Sequence, residues 1–141
     1  MEIGKIHQRL DALAKVTGQA PYPGDIDLPD QVYMKVLFSG RVHAIVHSIN
    51  TDKAQGYPGV LAVLTAKDVP NNEYGLGIQD QPVLCGPGSN NINGDRVRCV
   101  SDQIAVVIAE TEDIAAKAIQ LIEVEYEDLE IVDSIEEALK E

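Results

Sequence analysis

The run Ile104-Ala-Val-Val-Ile-Ala109 constrains this chain more than any other stretch, because it contains no polar residue and therefore leaves no face for water. A strand of that kind has to be covered on both faces. Just beyond it, Thr111 is placed to cap a helix N-terminus, and Glu112 and Asp113 set negative charge beside the positive end of the helix dipole. Ile114, Ala115, Ala118 and Ile119 follow at three- and four-residue spacing, with Ile122 continuing the stripe, and give the helix one apolar side. Val124 and Tyr126 then alternate with Glu123, Glu125 and Glu127, so the next strand has an apolar face and an acidic one. Val100 to Val132 thus reads as strand–helix–strand. It supplies a core and no catalytic group.

A second unit shares that plan. Val42 to Ile49 (VHAIVHSI) is strand-like; Asn50 or Thr51 can cap a short helical turn at Asp52–Gln55, closed by Gly56. Tyr57-Pro58-Gly59 turns the chain into Val60–Leu64, read as another buried strand, so the unit runs from Ile45 to Thr65. Two such units imply an α+β fold. Upstream, Val32–Phe38 is strand-like, and the tight Ser39-Gly40-Arg41 connection predicts an antiparallel hairpin with Val42–Ile49. Thr65 and Asp68 have capping-box spacing, as do Ser134 and Glu137, which open a short terminal helix over Ser134–Leu139.

Two segments break the regularity. Residues 1–27 read as an extended N-terminal segment, with Gly and Pro concentrated in Lys15–Asp25, and Leu28-Pro29-Asp30 forms a turn. Residues 71–95 carry five glycines, five asparagines and two prolines and read as one long loop. Loops of that length in compact domains are usually functional, partner-facing or mobile.

At 141 residues the expectation is a single domain, residues 1–141, able to bury a core without disulfides or metal. No apolar run reaches the roughly 18 residues of a membrane span. Arg9 and Asp11 interrupt the start, so no signal-peptide core is read there. Cys85 and Cys99 do not form a CxxC pair, and a reduced, cytoplasmic protein is the economical reading. The net charge of −12 argues against nucleic acid and anionic membrane as partners. Most of that charge lies from Glu110 onward, where 12 acids face only Lys117 and Lys140. This excess is either an acidic docking face for a basic partner or a solvated helix face and strand edge.

Candidate chemistry is sparse. His43 and His47 are four apart, but on a strand that spacing covers about 13 Å, too far for one metal ion. His7 has no identifiable partner. A nucleophilic cysteine needs a nearby base or cation; Arg96 and Arg98 stand near Cys99, yet alternation in VRCV places Cys99 inside as a small buried residue. Gly86-Pro87-Gly88 and Gly94 match no phosphate-binding loop. Glu123, Glu125 and Glu127 are exposed carboxylates with nothing to raise their pKa. A small hydrolase using Cys85 or Cys99 is the enzymatic reading left by the residues alone.

A resemblance goes further. Arg9-Leu10-Asp11-Ala12, Lys15-Val16-Thr17-Gly18, Ala20, Tyr22 and Asp25 resemble the opening of the large subunit of molybdenum hydroxylases, the family of xanthine dehydrogenase and aldehyde oxidase. The likeness continues through Leu28-Pro29, Ser39, His43-Ala44, Ile49, Pro58-Gly59-Val60, Val63-Leu64-Thr65 and Asp68-Val69-Pro70. It resumes at Asp80-Gln81-Pro82-Val83-Leu84, Val97-Arg98, Ala105–Thr111 and Val124–Glu127. In order and spacing this resembles the α/β hammerhead domain, whose implied architecture is a mixed β-sheet with two crossover helices. Gly40 stands where the family usually has proline, Ile45 where it often has arginine, and Cys99 where an aromatic is common. Ser101-Asp102-Gln103 replaces a typical Gly-Glu-Pro turn.

The resemblance implies a part of a larger oxidoreductase that hydroxylates a carbon centre with water oxygen and passes electrons from molybdenum through [2Fe–2S] centres to flavin or another acceptor. Glu141 falls where the hammerhead module is expected to end, and the molybdopterin-holding segments have no counterpart among these residues. No catalytic, cofactor-binding or metal-ligating residue is therefore carried over. The 141-residue chain is expected to be inactive alone, a scaffold beside the molybdopterin-binding domains, with the iron–sulfur chain as a second neighbour. The other reading is a free-standing acidic interaction module with the same fold.

Overall fold

The computed structural model describes residue 4 and residues 9–140, so the reading of His7 lies outside the described residues. The chain forms two compact units, Met1–Gln31 and Val32–Glu141. In the first, helix α1 spans Ala12–Val16 and a single 3₁₀ turn spans Pro23–Asp25. The Asp25 carboxylate accepts from Tyr22 N at 2.9 Å and closes that turn. Lys15–Asp25, expected to be irregular and extended, is therefore locally coiled at both ends, because Leu13 O and Asp25 answer backbone donors that an extended chain would leave to water. Gln31 N donates to Leu28 O at 3.3 Å, as the Leu28-Pro29-Asp30 turn requires.

Among its described residues the second unit holds six strands, β1 Tyr33–Phe38, β2 Ala44–Asn50, β3 Val60–Thr65, β4 Arg96–Val97, β5 Gln103–Ala109 and β6 Glu123–Asp128. Its helices are α2 Asp52–Gln55, α3 Glu112–Ile119 and α4 Ile135–Ala138. The strands form two three-stranded sheets, ordered β1-β5-β3 and β4-β2-β6. The described pairings are antiparallel, so the architecture is two antiparallel sheets rather than one mixed sheet. Both strand–helix–strand units are present, and each crosses between sheets: β2 and β3 flank α2, while β5 and β6 flank α3.

β5 takes the central place that its composition demands. Ile104, Ala105, Val106, Val107 and Ala109 are buried, with Val107 registered between Lys35 of β1 and Val63 of β3. The expected β1–β2 hairpin does not form: β1 pairs with β5, and β2 pairs with β4 and β6. The corner between them is anchored elsewhere, with Ser39 N donating to Asp102 O at 2.8 Å and Gly40 N to Val100 O at 3.1 Å. Gly40 sits at φ +62°, which proline, locked near −65°, cannot adopt. A two-edged apolar strand recruits β1 more strongly than a short turn can hold it to β2.

α3 forms as its sequence dictates. Thr111 Oγ1 accepts from Ile114 N at 3.2 Å, and Ala115, Ala118 and Ile119 are buried. They close over Ala105, Val107, Ala109 and Val63 to make the main core, with Ala54 of α2 and Ile122 beside them. A second cluster joins Ile104 to Ala44, Val46, Val97 and Cys85, where the two sheets meet. On the face of β5 away from α3, Leu84 and Ala66 cover Val106. At α2, Asn50 rather than Thr51 supplies the N-terminal acceptor, its Oδ1 taking Asp52 N at 3.0 Å. β3 is an edge strand that alternates between buried and exposed, not the fully buried strand expected, because sheet order leaves it a neighbour on one side only. The Thr65–Asp68 and Ser134–Glu137 caps are present, at 2.8 Å for Thr65 N to Asp68 Oδ2 and 3.2 Å for Glu137 N to Ser134 Oγ.

Candidate functional site

The two histidines are not brought together. His43, just before β2, has Nδ1 2.8 Å from the Glu130 carbonyl, while His47 has Nε2 2.7 Å from Glu127 Oε2. Each ring serves the neighbouring segment across the strand. Among the described residues no group of three or more His, Cys, Asp or Glu is placed to hold a metal ion.

The two cysteines also stand apart in kind. Cys85 is buried where the sheets meet, and its thiol is pushed up to about 12 by desolvation, then by the charges of Asp102 and Asp95. It behaves as a small core residue. Cys99 is exposed, against the expectation from alternation. β4 ends at Val97, and the next residues are bent into a turn by Asp102, whose Oδ2 accepts from Arg98 N at 2.6 Å and Cys99 N at 3.1 Å. Strand alternation therefore stops before it reaches Cys99. Its Sγ lies 3.1 Å from Asp102 Oδ1 and 3.3 Å from Ser101 Oγ. Those neighbours are a carboxylate and a hydroxyl, not the imidazole or cation that activates a nucleophilic thiol.

This turn faces part of the long loop across an open cleft of about 420 Å³ lined by Tyr74, Asp80, Gln81, Pro82, Arg98, Cys99 and Asp102. The loop itself is tied down by a residue that composition does not single out. Asn72 is fully buried, and its side-chain amide bonds to Leu84 N, Leu84 O and Ser89 Oγ. Sequence patterns pass over both Asp102 and Asn72 as organising residues; each is a lone polar side chain whose partners are far in sequence or on backbone.

Nor do the glycines form a cradle. Gly86 N donates to Gly94 O at 2.8 Å and Gly94 N to Asn91 O at 3.1 Å, so both amides are spent within the loop. The amides of Gly86 and Gly94 are therefore not free to cradle a phosphate.

The acidic row of β6 is answered by its neighbours. Glu123 pairs with Lys53, Glu125 Oε2 accepts from Ser48 Oγ at 3.1 Å, and Asp128 Oδ2 meets Arg41 Nη1 at 3.2 Å. His47 of β2 lies beside Glu127, so Glu125 and Glu127 meet partners across the strand while Glu123 and Asp128 meet Lys53 of α2 and Arg41 just before β2.

Comparison with known proteins agrees with this fold. Residues 17–130 match the family model of the aldehyde oxidase and xanthine dehydrogenase a/b hammerhead domain. The chain is 50 % identical over 133 residues to a probable xanthine dehydrogenase subunit of Bacillus subtilis, covering 94 % of this chain and 17 % of that protein. It is 38 % identical to the nicotinate dehydrogenase large molybdopterin subunit of Eubacterium barkeri, over 99 % of this chain and 31 % of the relative. Among solved structures, quinoline 2-oxidoreductase of Pseudomonas putida 86 superposes with a TM-score of 0.82 at 34 % identity, over 99 % of this chain and 18 % of that one. The Cu,Mo-CO dehydrogenase superposes with a TM-score of 0.83 at 30 % identity, over 97 % and 17 %. The chain spans less than a third of each of these proteins. It belongs to the aldehyde oxidase and xanthine dehydrogenase family, and the part of that family it represents is the a/b hammerhead domain.

Proposed function

We propose that this chain is the non-catalytic hammerhead module of a molybdenum hydroxylase large subunit, with residues 1–141 acting as one module that packs against the molybdopterin-binding domains. The observation that carries this reading is one of proportion. Nearly the whole chain superposes on an oxidoreductase of which it makes up only 18 %. The rest of such an enzyme has room for the molybdopterin, the [2Fe–2S] centres and, in members that use it, the flavin. Here Asn72, Asp102 and Thr111 use their side chains to hold a loop, a turn and a helix cap. The complete enzyme would hydroxylate an aldehyde, purine or N-heterocycle in the cytoplasm, and the iron–sulfur chain is a second neighbour in this reading.

Elemental analysis and a turnover assay test it. The purified chain is expected to carry neither molybdenum nor iron and to oxidise none of those substrate classes. It should gain a stoichiometric partner when co-expressed with the molybdopterin-binding polypeptide. Stoichiometric molybdenum in the chain alone would refute the scaffold reading.

The alternative, a free-standing acidic module, is weakened by the pairing of Glu123 with Lys53 and Asp128 with Arg41, cations from outside the acidic C-terminal stretch. Co-purification with a basic partner that is lost in high salt, without any molybdopterin-binding partner, would favour it instead.

A further inference from the structure

The four sheet edges differ in how they are protected. β6 carries Glu123, Glu125, Glu127 and Asp128, β4 is two residues long, and β1 has Lys35 at mid-strand. Charges and short length are the devices by which folded proteins keep an edge from recruiting another strand. β3 has neither: Val60-Leu-Ala-Val-Leu-Thr65 holds no charge and no proline. A bulge between Val60 and Ala62 bends only its start, and Ala62 to Thr65 run in regular register with β5. Among the described residues no strand pairs with the outer edge of β3. An open groove of about 290 Å³ lies along it, lined by Gln55, Val60, Leu61, Ala62 and Val63. Leu61 is 54 % exposed.

The apolar character continues across the sheet. Ala62 is registered with Ile108 and Ile108 with Met34, so these three share the face away from α3. Met34 is 61 % exposed, which makes this row the uncovered end of a face whose other end Leu84 and Ala66 cover.

We propose that the outer edge of β3 is completed by an extended, uncharged segment of the molybdopterin-binding remainder of the large subunit, added as a further strand. This rests on the proposed function. The occupant follows from chemistry and tethering. Open backbone along an uncharged edge selects an extended strand. In the Bacillus subtilis relative this chain accounts for 17 % of the length, so most of the polypeptide is held near the edge at high effective concentration. A second copy would have to arrive from dilute solution.

Amide hydrogen exchange on the full chain tests this, alone and in complex with the co-expressed molybdopterin-binding polypeptide. On complex formation the amides of residues 60–65 should slow by about tenfold or more, while those of β6 stay unchanged. Leu61→Lys should weaken capture of the partner about tenfold and leave the unfolding midpoint of the isolated chain where it was, since the lysine head remains in water. A complex that forms with no added protection at 60–65, or that L61K captures undiminished, would overturn the edge assignment while leaving the scaffold reading intact. Failure of any complex to form would sink both. Concentration-dependent protection in the chain alone, with a dimer mass by light scattering, would assign the edge to a second copy and overturn the occupant proposed.

Discussion

The side chain of Asn72 and the backbone of Leu84 bond in both directions: Asn72 Nδ2 donates to Leu84 O at 2.8 Å, and Leu84 N donates to Asn72 Oδ1 at 2.9 Å. One amide thereby stands in for a strand partner at the point where the long loop passes over Val106. The residue is fully buried, so water is not at hand to replace it. Asn72→Ala strands a buried donor and a buried acceptor, each worth about 1–3 kcal/mol, and should cost about 3 kcal/mol in urea unfolding. A loss under about 1 kcal/mol would mean that the loop re-pairs its backbone without the amide.

Two helix caps with the same geometry should differ in effect. Thr111 and Ser134 each accept an N–H three residues on, at 3.2 Å. α3 buries Ala115, Ala118 and Ile119, whereas α4 buries nothing. Thr111→Ala should lower global stability by about 1 kcal/mol. Ser134→Ala should leave the urea midpoint within about 0.3 kcal/mol of the parent, because α4 can fray without exposing core. Equal losses in the two variants would show that α4 is docked after all.

What can be read ahead of the structure is local. The all-apolar run of β5, the Thr111 cap, the acid alternation of β6 and the Thr65–Asp68 box each depend on residues within a few positions of one another, and each is present. What escapes depends on which strand another strand chooses. Ser39-Gly40-Arg41 suits a hairpin as well as a corner, and only the need of β5 for two neighbours decides between them. Alternation misplaces Cys99 because Asp102, three residues on, stops the strand that would have continued through it. No pattern in the chain marks Asn72, whose partners lie 12 and 17 residues away.

Gly59 holds the entry to β3 at φ +84°, and a β-carbon there would come within 2.6 Å of Ile114 Cδ1. The two obstacles can be separated. Gly59→Ala should cost about 1–2 kcal/mol, made up of the left-handed backbone and the methyl contact. Ile114→Val removes Cδ1 itself, so the double variant should cost less than the sum of the two single changes, by about 0.5 kcal/mol or more. Additive losses would assign the whole cost of Gly59→Ala to the backbone.

Alkaline pH should single out Cys85. Its thiol titrates at about 12 in the folded chain, against 9.0 for the ordinary group, chiefly because burial disfavours the thiolate. Between those values the unfolded chain has lost the proton and the folded chain has kept it, so the unfolded state binds fewer protons and stability falls as pH rises. The stabilisation is complete below pH 9.0 and is lost progressively toward about 12. This one group contributes a slope of about −1.4 kcal/mol per pH unit within that window. Urea titrations at several alkaline pH values should show the slope in the parent, and Cys85→Ala should make it shallower, removing the Cys85 contribution and the part of the raised Tyr126 pKa that, beyond desolvation, the Cys85 thiolate causes. Thiol labelling gives an independent check at mildly alkaline pH, where exposed Cys99 should react at once and Cys85 only as fast as the core opens. Two fast-reacting thiols, or an alkaline slope that Cys85→Ala leaves unchanged, would place Cys85 outside the core that joins the two sheets.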